Sequence, residues 1–256
     1  MPCCSVFDRG PDDTWRPSDL ARGPYGGVQG GAAAALMCAA IEAATDGFVS
    51  NVTTHFLKPV PVAPLRVAVV PLRRGRRVSI FDATLAGPDG VVAVQRATII
   101  RPQDDDALPV PPDEPADPER FPVLKLREAP PVQPWLMDTM EMRADPGGVS
   151  WFRIKYPIVE FGGSMTRVLP IADWAHGILP PLGTRENLLV AIPNTDVAVH
   201  LFRPPAGAWI GVEPVSAWSR QSIGAGWGTL RDVTGLIGRV AMSIAVSRAS
   251  EQGRDG

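Results

Sequence analysis

Asp173 stands in an apolar stretch, Val168-Leu-Pro-Ile-Ala-Asp-Trp174. A carboxylate is costly to bury unpaired, so it needs either a hydrogen-bonded structural setting or a chemical task. His176 lies three residues further on and shares the same helical face if the helix continues past Pro170. It reads either as a partner for Asp173 or as an unrelated helix-end histidine. Gly26-Gly27-Val28 and Gly162-Gly163-Ser164 both precede helical sequence. Free N–H groups at a helix N-terminus, with the positive end of its dipole, can hold a developing oxyanion. Alternatively these glycines only permit a strand-to-helix turn. Arg73-Arg74-Gly75-Arg76-Arg77 offers guanidinium forks for phosphate oxygens, or else a solvated turn that discourages edge pairing. Cys3, Cys4 and Cys38 have neither disulfide-framework nor zinc spacing. Cys38, in an Ala-rich run, reads as a small core residue. No metal and no cofactor is expected.

Several elements must position these groups. Residues 28–45 are Ala-rich and apolar nearly all round, predicting one buried helix of about five turns. Val52–Lys58, Pro64–Leu72, Arg77–Ala86 and Val91–Arg101 are rich in Val, Ile and Thr and separated by turn residues, predicting an antiparallel meander. Slid by 145 positions, Asn51–Arg101 falls on Asp196–Val246 without a gap, with ten identities in 51 positions. His55-Phe-Leu-Lys-Pro59 meets His200-Leu-Phe-Arg-Pro204, and Thr84-Leu85 meets Thr229-Leu230. This is a duplication. The second copy predicts strands at Met140–Arg143 and Trp151–Tyr156, a helical stretch from about Gly163 to Leu179, then four strands. His55 and His200, at equivalent positions, suggest a shared structural role at the junction of the copies.

Between the copies, residues 102–134 hold ten prolines, and seven acids fall between Asp104 and Glu119 with no Lys or Arg among them. The run reads as an exposed connector. The expected organisation is a first domain at 1–102, a linker at 103–134, a second domain at 135–250 and a tail at 251–256. An antiparallel sheet wrapped around a helix apolar on most faces is an α+β hot-dog unit, here in tandem.

Composition bounds the function. The 256 residues are 45% hydrophobic, and 25 Lys+Arg against 27 Asp+Glu leave a net charge of −2. That excludes a strongly basic nucleic-acid binder. No apolar run is long enough to span a bilayer, and the first residues lack the basic-then-apolar profile of a secretory signal. A cytoplasmic protein without membrane insertion is expected.

The order and spacing of these motifs resemble the acyl-CoA thioesterase II (TesB-like) family of double hot-dog proteins. The resemblance rests on Tyr25-Gly26-Gly27, His55–Pro59, Leu72–Arg77, Ile171-Ala172-Asp173, Asn194–Pro204, Gly207-Ala208-Trp209 and Asp232–Gly235. It implies hydrolysis of an acyl-CoA thioester by a water oriented by an Asp, a Thr and a Gln. Residue by residue these positions fall on Asp173, Asn194 and Ser243, so two of the three are replaced. Strand alternation places Asn194 and Asp196 on one face and Thr195 on the other. Gln29 and Gln95 are candidates for the lost amide, or else capping and solvated residues. Counting between the glycine pairs puts Met37 opposite Asp173, so only one copy keeps an acid.

The expected function is thus an acyl-CoA thioesterase-like hydrolase of lipid metabolism with Asp173, Asn194 and Ser243 at its catalytic positions. Gly26, Gly27, Val28 and Gly163 would serve as helix-N-terminal oxyanion donors. Leu36, Met37, Trp174 and Ile178 would line the acyl tunnel, and Arg74 and Arg76 would dock the CoA phosphates. The alternative is a non-catalytic acyl or acyl-CoA binding protein on the same fold, suggested by the two substitutions. A hot-dog dehydratase ranks last, because no Pro follows Asn194-Thr-Asp196 in place. Exposed sheet edges allow a homo-oligomer.

Overall fold

The computed structural model describes residues 5–105, 107–125, 134–176, 190–191 and 193–248. Cys3, Cys4 and Ile178 lie outside the described residues. The chain opens with two short strands, β1 (Phe7–Arg9) and β2 (Thr14–Pro17), followed by α1 (Gly30–Ala43). Four long strands follow, β3 (Phe48–Phe56), β4 (Leu65–Arg73), β5 (Val78–Gly87) and β6 (Gly90–Ile100), but only β4, β5 and β6 form the expected meander, since β3 pairs with β6 rather than with β4. The second half supplies β7 (Met140–Ala144), β8 (Ser150–Ile154), α2 (Ser164–Ala172) and a two-residue β9 (Val190–Ala191). It ends with β10 (Asp196–Leu201), β11 (Trp209–Trp218), β12 (Ile223–Asp232), β13 (Gly235–Ala245) and β14 (Ser247–Arg248). The short strands β1 and β2 have no counterpart in the sequence expectation.

Twelve strands form one sheet in the order β1-β2-β4-β5-β6-β3-β10-β13-β12-β11-β8-β7, with every ladder antiparallel. The order reads outward from a central seam, where β3 pairs with β10. The 145-residue offset carries the register with it: Val78 faces Ile100 as Ile223 faces Ala245, and Ala68 faces Thr84 as Glu213 faces Thr229. Both halves are hot-dog units, and together they make a double hot-dog fold. His55 and His200 sit on the two seam strands as the repeat implied, His55 opposite Asp196 and His200 opposite Asn51.

Helix α1 is buried because it offers no polar face. Every residue from Gly31 to Ala39 is buried, Leu36, Met37 and Cys38 completely. Burial drives the Cys38 thiol well above its ordinary pKa, consistent with an inert core cysteine. Helices α1 and α2 pack on each other inside the sheet. Their approach is close enough that a Cβ on Gly31 would lie 2.6 Å from the Leu169 carbonyl oxygen and 2.9 Å from Pro170 Cα.

The connector is mostly exposed, but it is also strapped to the second half. Glu114 N and Ala116 N donate to Thr234 O and Val233 O, each at 3.0 Å. The Glu119 carboxylate accepts from Arg153 at 2.7 Å and from Trp209 Nε1 at 3.2 Å. Among the described residues, no helix is long and apolar enough to cross a membrane.

Candidate active site

Asp173 is the C-cap of α2, whose last turn it closes through its N–H to Leu169 O at 3.1 Å. There its carboxylate meets the N-terminus of α1, and three donors converge on it. Asn194 Nδ2 donates to Oδ1 at 2.5 Å, Gln29 Nε2 donates to Oδ2, and the backbone N–H of Gly31 donates as well. Only 6% of Asp173 is exposed. Burial pushes its pKa up to about 6, against the pull of the bonds from Asn194, Gly31 and Gln29. The environment thus tunes a carboxylate to change charge close to neutral pH, as a general base requires.

Asn194 reaches this carboxylate through a break in strand register. Ala198 pairs with Ala241, but Asn194 bridges Ile244, so β10 carries one extra residue at its start. Such a bulge re-aims a side chain. It turns Asn194 inward, whereas strict alternation would group it with Asp196 on the outer face. The first copy has the same shift, between Val49 and Asn51, with Val49 facing Ile99. Val49, 145 positions before Asn194, is buried and apolar. A polar residue whose repeat mate is a core valine is the sequence signal that could have marked Asn194 without any family pattern.

Ser243 does not join the site. Its side chain is exposed while Met242 and Ile244 on either side are buried. Its N–H donates to Asp196 Oδ1 at 3.1 Å and its carbonyl accepts from Thr195 N at 2.9 Å. The amide comes instead from Gln29. This residue N-caps α1, accepting from Ala32 N at 2.6 Å through Oε1 while its Nε2 holds Asp173. Capping and site-building are one role here. Gln95 is elsewhere, donating to Ala34 O at 2.9 Å and Thr54 Oγ1 at 2.8 Å. His176 does not pair with the carboxylate. Its Nδ1 lies 3.1 Å from the backbone oxygen of Asp173 and its ring stacks on Trp174, while burial lowers its pKa and favours the neutral ring.

The expected oxyanion donors also shift. Helix α1 begins at Gly30, two residues later than the composition suggested. Val28 N donates to Val60 O at 2.8 Å, and a Cβ on Gly27 would lie 2.7 Å from the same oxygen. Gly26 needs its positive φ of 87° for the turn. These three residues shape the approach to the helix. Gly30 is better placed, since a Cβ there would lie 3.0 Å from the Phe56 ring and 3.4 Å from Asp173 Oδ1. Gly163 belongs to the opposite end of the helix pair, where its N–H donates to Glu42 Oε2 at 2.7 Å. Glu42 also accepts from Met165 N and Thr166 Oγ1, sealing the N-terminus of α2.

The arginine turn is remote from the carboxylate. Arg74 lies over the Phe81 ring and, with Arg101 and Ser79, borders a 270 Å³ cavity that also touches Ala43–Asp46 at the C-terminal end of α1. Asp173 is at the N-terminal end of that 14-residue helix, about 20 Å away at 1.5 Å per residue. Arg76 is exposed and its carbonyl accepts from Arg101. The two arginines do not stand beside Asp173. Met37 and Leu36 are core residues, and Trp174 is buried edge-on against Trp135. Among the described residues no cluster of His, Cys, Asp and Glu could hold a metal ion.

Comparison with known proteins decides the family. A sequence model of the acyl-CoA thioesterase N-terminal domain matches residues 18–101, and one of the C-terminal domain matches residues 102–246. The chain belongs to the acyl-CoA thioesterase family. Membership places it among thioester hydrolases in general, with acyl-CoA as the substrate class. Among solved structures, a protein of Novosphingobium aromaticivorans provisionally described as a thioesterase has a similar fold, with TM-score 0.72, 19% identity, and coverage of 96% of this chain and 98% of that one. An acyl-CoA thioesterase II from Mycobacterium marinum is similar with TM-score 0.68, 15% identity and 96% coverage of both chains. At such identities the likeness concerns the fold. No curated protein sequence matches the chain. Within this member of the family, the candidate site is asymmetric: the buried stretch Leu36–Ala39 of α1 carries no acid, and Val49 stands at the position of Asn194 in the other half.

Proposed function

We propose that the protein hydrolyses acyl-CoA thioesters at a single site per chain, with Asp173 as the general base. The observation that carries this reading is the buried Asp173 carboxylate, held by Asn194, Gln29 and Gly31 N–H at the mouth of α1. These donors leave lone pairs for one water. A thioester carbonyl needs a positioned water, a base and an oxyanion donor. The Gly30 N–H, at the positive end of the α1 dipole, is the donor, and the missing Cβ at Gly30 leaves room for the carbonyl beside Asp173. Asp173 takes a proton from the water as its oxygen bonds to the carbonyl carbon. The tetrahedral intermediate then collapses with loss of the CoA thiolate, which takes up a proton.

A Cβ on Gly30 would meet both the Phe56 ring and Asp173 Oδ1, and the buried Trp174 and Ile244 adjoin Asp173 and Asn194. This favours an apolar acyl group. Lys58, two residues beyond Phe56, supplies a cation at this end for the CoA phosphates. Hydrolysis of an acyl-CoA panel beside Asp173→Asn and Asn194→Ala tests the proposal. Turnover lost in Asp173→Asn and strongly reduced in Asn194→Ala is expected. Turnover indifferent to Asp173→Asn removes the base, and tight acyl-CoA binding without turnover in the wild type converts the reading to a binding protein.

A further inference from the structure

The β4–β5 hairpin ends in the arginine turn, which the site at Asp173 does not use. Val70, Pro71, Leu72, Arg73, Arg74, Arg76 and Arg77 are all exposed, Val70 at 54% and Leu72 at 52%. Pro71 faces Phe81 and Arg73 faces Ile80, so Leu72 is the extra residue of a bulge, which re-aims its side chain. Beyond Leu65 and Arg66, which pair with β2, no further strand flanks this edge of β4. Among the described residues, none of the four turn arginines is held in an ion pair. The nearby acids do not cancel their charge. Asp82 is taken up by Arg96 through two bonds of 2.7 and 2.8 Å. Asp46, Asp104 and Asp105 stand against five arginines once Arg101, whose N–H donates to Arg77 O, is counted. The second copy gives an internal reference. The repeat maps Leu72 onto Ala217 and residues 73–77 onto 218–222, where Arg220 is the single basic residue. There Ala217 pairs with Ala225 and Trp218 with Gly224, without a bulge. The same hairpin is regular and nearly neutral in one copy, and bulged, apolar and cationic in the other.

We infer that this hairpin docks the protein on the surface of an anionic bilayer, with the arginines against lipid phosphates and Leu72 in the boundary between headgroups and acyl chains. Charge complementarity selects an anionic partner, since guanidinium forks suit phosphate oxygens and basic clusters are drawn to anionic leaflets. The exposed leucine and valine beside the arginines select a lipid surface over a soluble polyanion, which offers an apolar side chain nothing to enter. The docking is peripheral, because no helix among the described residues is long and apolar enough to cross a membrane. It sets the C-terminal end of α1 nearest the lipid, since Arg74 borders the cavity at residues 43–46. Asp173, at the other end of that 14-residue helix, stays about 20 Å from the surface. The docking holds whatever reaction Asp173 performs.

The test is cosedimentation of the full chain with vesicles of phosphatidylcholine alone and of phosphatidylcholine mixed with phosphatidylglycerol. The anionic vesicles should hold the protein at about 0.1 M salt and release it at about 1 M, as the screening length falls from about 10 to about 3 Å. Phosphatidylcholine alone should not hold it. Each arginine near an anionic surface contributes about fivefold, so Arg73→Gln/Arg77→Gln should bind about 25-fold more weakly. Arg73→Lys/Arg77→Lys, which keeps the charge, should bind as the wild type does. Leu72→Ser should weaken vesicle binding by about fivefold and leave binding to heparin, a soluble polyanion, unchanged. Arg220→Gln, on the equivalent turn of the second copy, should change neither. These side chains are outside the core, so melting temperatures should be retained. Failure of the wild type to bind anionic vesicles at about 0.1 M salt overturns the inference. So does undiminished binding in Arg73→Gln/Arg77→Gln, or an equal loss per arginine in Arg220→Gln. A Leu72→Ser variant that binds vesicles as tightly as the wild type also overturns it, marking a site for a soluble polyanion such as a nucleic acid.

Discussion

Replacing Gln29 tests whether the carboxylate's environment sets the working pH. Gln29 Nε2 donates to Asp173 Oδ2, one of three bonds that hold its pKa down against burial, leaving it at about 6. A hydrogen bond to a charged group contributes roughly 1.5–3 kcal/mol, and one pKa unit corresponds to about 1.4 kcal/mol. Removing it in Gln29→Leu should therefore raise the Asp173 pKa by about 1–2 units, towards 7–8. The acid limb of kcat/KM should move up equally, because the base must be ionised in the free enzyme. Loss of the α1 cap adds a stability cost of about 1 kcal/mol. Gln29→Ser separates the two effects, since serine can still cap the helix but cannot reach Asp173. The assay is kcat/KM for an acyl-CoA from about pH 5 to 9, with thiol release followed by a pyridyl disulfide and folding checked by melting. In both variants activity near pH 7 should fall while the alkaline plateau is largely kept. A limb that stays at the wild-type position, with equal losses at every pH, would refute the reasoning, as would a wild-type limb far from 6.

Other expectations follow from the same geometry. Because the folded-state pKa of Asp173 lies above its ordinary value, its favourable contribution is complete below about pH 4 and is lost as pH rises through about 6. Asp173→Asn should therefore gain stability relative to the wild type between pH 4 and pH 8, by up to about 3 kcal/mol, which denaturant titration at the two pH values will show. Arg203→Ala removes the cation from the fully buried Asp232, which Arg203 holds through two bonds and which also accepts from Ala206, Thr234 and Gly235, and should cost about 1.5–3 kcal/mol in the same titration. Gly31→Ala drives a Cβ against the backbone of Leu169 and Pro170. Overpacking there should cost about 1–3 kcal/mol and reduce kcat/KM by separating Asp173 from the α1 N-terminus.

The fold was legible because its causes are local and repeated. An Ala-rich segment apolar on all sides can only be a central helix, and strands of period two between turn residues can only wrap it. The 145-residue repeat made the two halves alike, but not the pairing order, since β3 leaves the meander to pair with β6 and β10. Asp173 was legible too, as an acid among apolar neighbours. The remainder of the site was not, and Ser243 shows why. Counting residues along β13 from Gly235 reaches the right neighbourhood, but a side chain's face changes with every residue, and only the pairing with β12 settles which face is inside. Asn194 errs in the other direction, since one extra residue in β10 turns it inward against strict alternation.

Gln29 and the arginine turn mark the boundary most clearly. Gln29 is 144 positions from Asp173, and its capping role is readable from sequence, but that the capped end meets the C-terminus of α2 depends on how two helices cross inside the sheet. Arg74 and Arg76 carry the right chemistry for phosphate, and that they lie a helix length from Asp173 is a distance that composition cannot express. The sequence by itself determined the hot-dog units, their duplication and the acid at position 173 among apolar neighbours, because hydrophobic period and repetition are properties of a chain read in order. The tertiary structure alone decided which amide holds that acid, which helix end serves it and which end Glu42 closes, because those are contacts between residues that the chain keeps far apart.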